Sequence, residues 1–91
     1  MAPDATSDTE VELLVRSGLA NSATATARAE DWLVALRGLN NRDKVVIVLR
    51  FLFGLSQYEV ADWLGVTRTR VFQMEQRALG RLRNRNTEIF L

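Results

Sequence analysis

The chain has 91 residues and contains neither cysteine nor histidine. Without cysteine there is no disulfide framework and no thiolate metal site. Without histidine the commonest general base and the commonest metal ligand are gone. No glycine-rich phosphate loop and no G-x-S-x-G elbow takes their place. A catalytic role is therefore not expected, and neither is a metal or a cofactor. The longest apolar run, Val45 to Phe53, is broken by Arg50 and is far too short to span a bilayer. The first twelve residues, MAPDATSDTEVE, are acidic and lack the basic start of a signal peptide. These absences leave a small protein with no membrane partner, and a reducing cytoplasm is the default location.

What is present is unevenly placed charge. Residues 1–36 hold two basic and six acidic groups, a net of −4, and residues 37–91 hold ten basic and five acidic groups, a net of +5. The basic part suits DNA, and the acidic part must lie away from phosphate. The length allows one modest core. Four segments are expected: a flexible acidic tail over 1–8, a helical segment over 9–38, a helix-turn-helix domain over 39–86, and an apolar end over 87–91 that packs back or meets a partner.

Periodicity and capping signals indicate an all-α chain of about five helices. Asp8 or Thr9 can cap a helix from Glu10 to Ala20 with Val11, Leu14, Val15 and Leu19 inward, weakened and ended by Gly18 and Asn21-Ser22. Ala23 to Arg37 reads as a second helix, with Ala29, Trp32, Leu33 and Leu36 inward and a stop at Gly38. Asn40, with Asp43 three residues on, caps a third helix running to Phe53 before Gly54. This helix is apolar nearly all round and belongs at the centre of the core. Its β-branched stretch Val45–Val48 also suits a strand, and period alone leaves both open.

Residues 55–83, LSQYEVADWLGVTRTRVFQMEQRALGRLR, carry the most specific signal. Ser56 can cap a short helix through its hydroxyl. Val60, Ala61 and Leu64 give that helix one inward face. Gly65 follows at the point where a left-handed backbone favours glycine. Val66 plugs the turn and Thr67 caps the next helix. Val71, Met74, Ala78 and Leu82 form the inward stripe of this second helix. The pattern is a helix-turn-helix, a unit that presents its second helix to the DNA major groove. The exposed face then comprises Arg68, Thr69, Phe72, Gln73, Gln76 and Arg77. Arginine pairs with guanine and glutamine with adenine. Arg81, Arg83 and Arg85 continue where phosphate contact is the natural role. The bland alternative is a solvated helix face, and Trp63 reads as half-buried packing.

The stretches VLRFLFGLSQYEVADWLGV and VTRTRVFQMEQRALGRLR resemble region 4 of bacterial sigma factors over about residues 33–85. The resemblance implies a domain that reads the promoter −35 element and docks on RNA polymerase through the β-flap tip. It implies base reading by Arg68 and Gln73, with Thr69 and Phe72 as further base-reading candidates on the same face, and phosphate contact by Arg42, Arg50 and Arg77, with Arg70 and Arg81 as further phosphate candidates. It places Val60, Ala61, Leu64, Gly65, Val66, Val71 and Met74 in the helix-turn-helix core. Three positions differ from the family pattern. Thr69 and Tyr58 stand where glutamate is usual, and Phe72 stands where arginine is usual. An apolar Phe72 can touch a thymine methyl or face a protein.

If Met1 is the true start, the expectation is a region-4-like domain standing alone, without the region that melts promoter DNA. The expected function is a transcription factor that binds double-stranded promoter DNA and RNA polymerase in the bacterial cytoplasm, at the nucleoid, encoded by a cell or a phage. The rival reading is an interaction module for the polymerase, or for a sigma or anti-sigma factor, with little DNA binding. A dimeric repressor, with the helix from Glu10 to Ala20 as its seam, is a further alternative.

Overall fold

The computed structural model describes residues 7–21 and 28–90, with side chains described as far as Asn84. The tail to residue 6, residues 23–27 of the expected second helix, the Arg85 side chain and the apolar side chains of Ile89, Phe90 and Leu91 lie outside the described residues. Among the described residues there are five α-helices and one π-helical turn, and no strand.

The first helix, α1 (Asp8–Ala20), begins two residues earlier than the sequence suggests. Its cap is Ser7, whose Oγ accepts from the Glu10 amide at 3.2 Å. Val11 and Val15 are buried as the stripe requires. Gly18 does not end the helix. It is buried inside it, and an added Cβ would lie 2.7 Å from Leu52 Cγ and Cδ2 and 3.0 Å from Phe53 Cε1. The glycine is there for close approach of two helices. The chain leaves the helix at Asn21, whose Nδ2 donates to the Ser17 carbonyl at 3.0 Å.

Helix α2 (Ala29–Ala35) is shorter than alanine content implies. Arg28 is extended (φ −88°, ψ 154°), and its amide donates to Asp31 Oδ2 at 3.4 Å, which sets the helix start after it. Gly38, at φ +91°, turns the chain toward α3 (Asn41–Ile47). Asn40 caps α3 as expected, its Oδ1 accepting from the Asp43 amide at 2.9 Å.

The single helix expected from Asn41 to Phe53 is interrupted. Residues Val48–Leu52 form a π-helical turn, closed by the Phe53 amide on the Val48 carbonyl at 3.0 Å. This wide turn carries Leu52 against Gly18 of α1 while Arg50 faces α5. Such turns occur as single-turn insertions, often at functional sites. The helical alternative for Val45–Val48 is the one realised. Val45, Val46, Ile47, Val48 and Leu49 are all buried, which makes this segment the centre of the molecule.

Helix α4 (Gln57–Leu64) and helix α5 (Arg68–Phe90) complete the fold. One core cluster joins Val11 with Val45, Val46, Leu49, Val60, Ala61, Leu64, Val71 and Met74. A second joins Val15, Ala29, Leu36, Leu39, Ile47, Val48 and Ala78. Each cluster takes residues from α1 and from the helix-turn-helix segment. The acidic N-terminal helices therefore pack onto the basic part, through α3 and the π-helical turn.

Candidate nucleic-acid interface

The α4–turn–α5 unit is built by short-range chemistry. Ser56 Oγ accepts from the Glu59 amide at 3.1 Å, and Glu59 Oε1 accepts from the Ser56 amide at 2.9 Å. This reciprocal box satisfies two orphan donors at the α4 start. The Ser56 amide, and then its hydroxyl, hold the Glu59 carboxyl below the usual glutamate range. Gly65 is left-handed (φ 72°, ψ 33°), and its amide reaches the Ala61 carbonyl at 2.9 Å. Thr67 Oγ1 accepts from the Arg70 amide at 3.1 Å and so caps α5. Val60, Ala61, Leu64, Val71 and Met74 are buried, and Val66 packs half-buried against them. These residues fix the angle at which α5 leaves the turn.

From Arg68 to Asn84 the outward face of α5 has one sign of charge. Arg68, Thr69, Arg70, Phe72, Gln73, Gln76, Arg77, Arg81 and Arg83 are all exposed. The only acid between Arg68 and Asn84 is Glu75, and it is buried. All four expected base readers share this surface. Arg68, Thr69 and Phe72 line a shallow cavity of about 240 Å³. The Arg68 guanidinium lies 5.1 Å from the ring centroid of Tyr58, and its Nη1 donates to Gln57 Oε1 at 3.4 Å. Tyr58, itself 70% exposed, thus steadies the first arginine of the helix.

The five expected phosphate arginines fall into two groups. Arg70 and Arg81 are exposed, and Arg81 Nη1 donates to the Gly38 carbonyl at 3.1 Å beside a second shallow cavity lined by Arg37, Gly38, Arg81 and Asn84. Arg50 and Arg77 are engaged inside the protein instead. Arg50 Nε meets Glu75 Oε1 at 2.6 Å, and its Nη1 donates to the Leu55 carbonyl at 2.8 Å. Arg77 grips Asp43 with two bonds, Nε to Oδ2 at 3.0 Å and Nη2 to Oδ1 at 2.8 Å. The Asp43 hydrogen bonds, then its charge, raise the Arg77 pKa above the ordinary arginine value. The fifth, Arg42 at the α3 start, is half-buried. The sequence reading missed Asp43 and Glu75 as anchors. One signal was available: Glu75 falls four residues after Val71 and so lies on the inward stripe.

Glu12 of α1 and Glu30 of α2 pair with arginines of the N-terminal part. Arg16 bonds Glu12 at 3.0 Å and lies 3.5 Å from Glu30, which also faces Arg28 at 3.8 Å. The Glu30 backbone amide, with these arginines, keeps its carboxyl below the usual range. The Glu12 hydrogen bond, then the charges of Glu12 and Glu30, raise Arg16 above the ordinary arginine value. Among the described residues no cluster of carboxylates fit to hold a metal occurs, and no helix is long and apolar enough to cross a membrane.

A capped helix, a left-handed glycine turn and a longer arginine-rich helix define a helix-turn-helix protein. Residues 35–84 match the family model described as sigma-70, region 4, and the chain belongs to that family. It is 34% identical to the RNA polymerase sigma-F factor of Bacillus licheniformis over 50 residues, which cover 55% of this chain and 20% of that protein. It is 38% identical to the RNA polymerase sigma-G factor of Clostridium acetobutylicum over 45 residues, covering 50% of this chain and 18% of that protein. The chain thus spans about a fifth of the length of these curated relatives. No solved structure matches it.

Proposed function

We propose that this domain acts in transcription initiation as a sigma-region-4-like factor that lays α5 in the major groove of promoter DNA near −35 and docks on RNA polymerase at the β-flap tip. The observation that carries the reading is the outward face of α5, where Arg68, Arg70, Arg81 and Arg83 are exposed and no exposed acid lies between Arg68 and Asn84. Family membership supports both halves of the proposal. Arg68, Thr69, Phe72 and Gln73 would meet base edges, and Arg70 and Arg81 the phosphates on either side. Arg42 would approach phosphate from the start of α3. Arg50 and Arg77 would set the orientation of α5 and reach phosphate only at the cost of their internal bonds. The mechanism is positioning, with no bond made or broken. Such a role places the protein in the bacterial cytoplasm.

Co-elution with core RNA polymerase, with and without the flap tip, tests the docking half. Binding that needs the tip is expected, and equal behaviour of the two forms overturns it. Titration of duplex binding against salt tests the other half. The logarithm of the affinity should fall with a slope of about −0.9 per phosphate neutralised. A second reading, an interaction module with little DNA affinity, draws on the exposed aromatic rings of Phe51 and Phe53, 52% and 36% accessible. Tip-dependent polymerase binding without salt-sensitive duplex binding would favour it.

A further inference from the structure

Phe72 is left over by the core. It sits between buried Val71 and Met74, yet it is 47% exposed and belongs to neither core cluster. Thr69 and Phe72 are three residues apart, and Arg68 and Phe72 four, so the three side chains lie on one helix face. Between them is the shallow cavity of about 240 Å³. The Arg68 guanidinium is engaged by α4, through the Tyr58 ring and Gln57. An exposed ring at the centre of an arginine-lined face calls for an apolar group carried by a polyanion. Of the four bases, only thymine projects a methyl group into the major groove, and phenylalanine and the threonine methyl are suited to meet it. The charge of the face matches DNA and would repel a basic protein partner.

We infer that the Arg68–Thr69–Phe72 cavity seats the 5-methyl group of a thymine in the major groove, which makes Phe72 a specificity-determining residue. The inference rests on the reading of α5 as a DNA-contacting helix. It adds that discrimination at one position comes from burial of a methyl carbon, where a hydrogen bond is the commoner device. Arg68, held beside the cavity, is then placed for a neighbouring guanine, so the seat favours a step containing both bases.

The test begins with duplexes selected by the full chain from a random pool. Each thymine of the selected duplex is replaced in turn by deoxyuridine, which removes only the methyl group. One replacement should weaken binding about fourfold, the equivalent of ~0.8 kcal/mol for one buried carbon. Phe72→Ala should bind the thymine and uracil duplexes equally, and Phe72→Leu should keep part of the difference. Phe72 is half-exposed, so neither change threatens the fold. If every uracil duplex binds the native protein as well as its parent, or if the difference survives in Phe72→Ala, the methyl seat is wrong while DNA reading stands. If the pool yields no bound duplex, DNA reading fails and the seat fails with it.

Discussion

The Asp43–Arg77 pair gives a sharp test of how this fold uses charge. Asp43 is 2% exposed at its side chain and Arg77 is 42% exposed, although they share two hydrogen bonds of 3.0 and 2.8 Å. The two truncations should therefore differ. Arg77→Ala strands a buried carboxylate, and breaking a buried pair in this way costs about 3–5 kcal/mol, with the lower end expected because water reaches the arginine side. Asp43→Ala strands a cation that can turn out into solvent, and about 1 kcal/mol is lost. The Asn40 cap survives both changes, since it bonds the backbone amide of residue 43. Urea unfolding followed by helical circular dichroism should separate the variants by ~2 kcal/mol, or about 1 M in midpoint at the slope usual for small domains. The double variant should be more stable than Arg77→Ala alone, because the buried charge has gone with its partner. If Asp43→Ala is as damaging as Arg77→Ala, or the double variant no better than the latter, desolvation of Asp43 is not the controlling cost. Asp43→Ala also releases Arg77 from its internal partner, so if the proposed use of α5 holds, the salt slope of duplex binding should steepen by about one.

Three further outcomes are expected. Glu59 has its pKa lowered by the Ser56 cap, so its contribution is present at neutral pH and is lost as pH falls through the usual glutamate range to the lower folded value; stability of the native protein relative to Glu59→Gln should fall with acid, and a difference independent of pH would refute the assignment. Gly18→Ala adds a Cβ at 2.7 Å from Leu52 Cγ, and overpacking of ~1–3 kcal/mol should outweigh the helix propensity gain of about 1 kcal/mol; a raised urea midpoint would show that α1 and the π-helical turn can separate freely. Gly65→Ala meets no neighbour but must hold φ near 72°, so thermal unfolding should report a loss of about 1–2 kcal/mol from backbone strain alone, and an unchanged melting temperature would contradict it.

The parts of this fold that could be read in the sequence are those decided within one turn of chain. Asn40, Ser56 and Thr67 are each followed three residues later by the amide they cap, and Gly65 ends the last apolar position of α4. The apolar stripes of α4 and α5 were legible for the same reason. The parts that could not be read depend on a second element. Gly18 resembles a helix breaker until Leu52 is placed against it. The π-helical turn has no local marker in a run of valines and leucines. The arginines are the plainest case. Arg70, Arg77 and Arg81 look alike in the sequence, and what sets Arg77 apart is a buried carboxylate 34 residues away.

The two internal ion pairs also explain why the outward face of α5 is the one it is. Arg50 before α4 meets Glu75 of α5, and Asp43 of α3 meets Arg77 of the same helix. The polarities are opposite, so α5 gives an acid to one partner and a base to the other. Turning α5 by one residue, roughly 100°, would break both pairs and leave the buried Asp43 carboxylate and the Arg50 guanidinium without them. Apolar packing of Val71, Met74 and Ala78 selects the buried side of α5 but tolerates small rotations. The crossed pairs do not, and they thereby hold Arg68, Phe72 and Gln73 outward. On this argument Glu75→Gln, which keeps the volume and loses the charge, should blur sequence discrimination among duplexes more than it weakens binding to any of them. Comparing the spread of affinities over selected and scrambled duplexes decides it: an unchanged spread with uniformly weaker binding would mean that the pair stabilises the fold without orienting the helix.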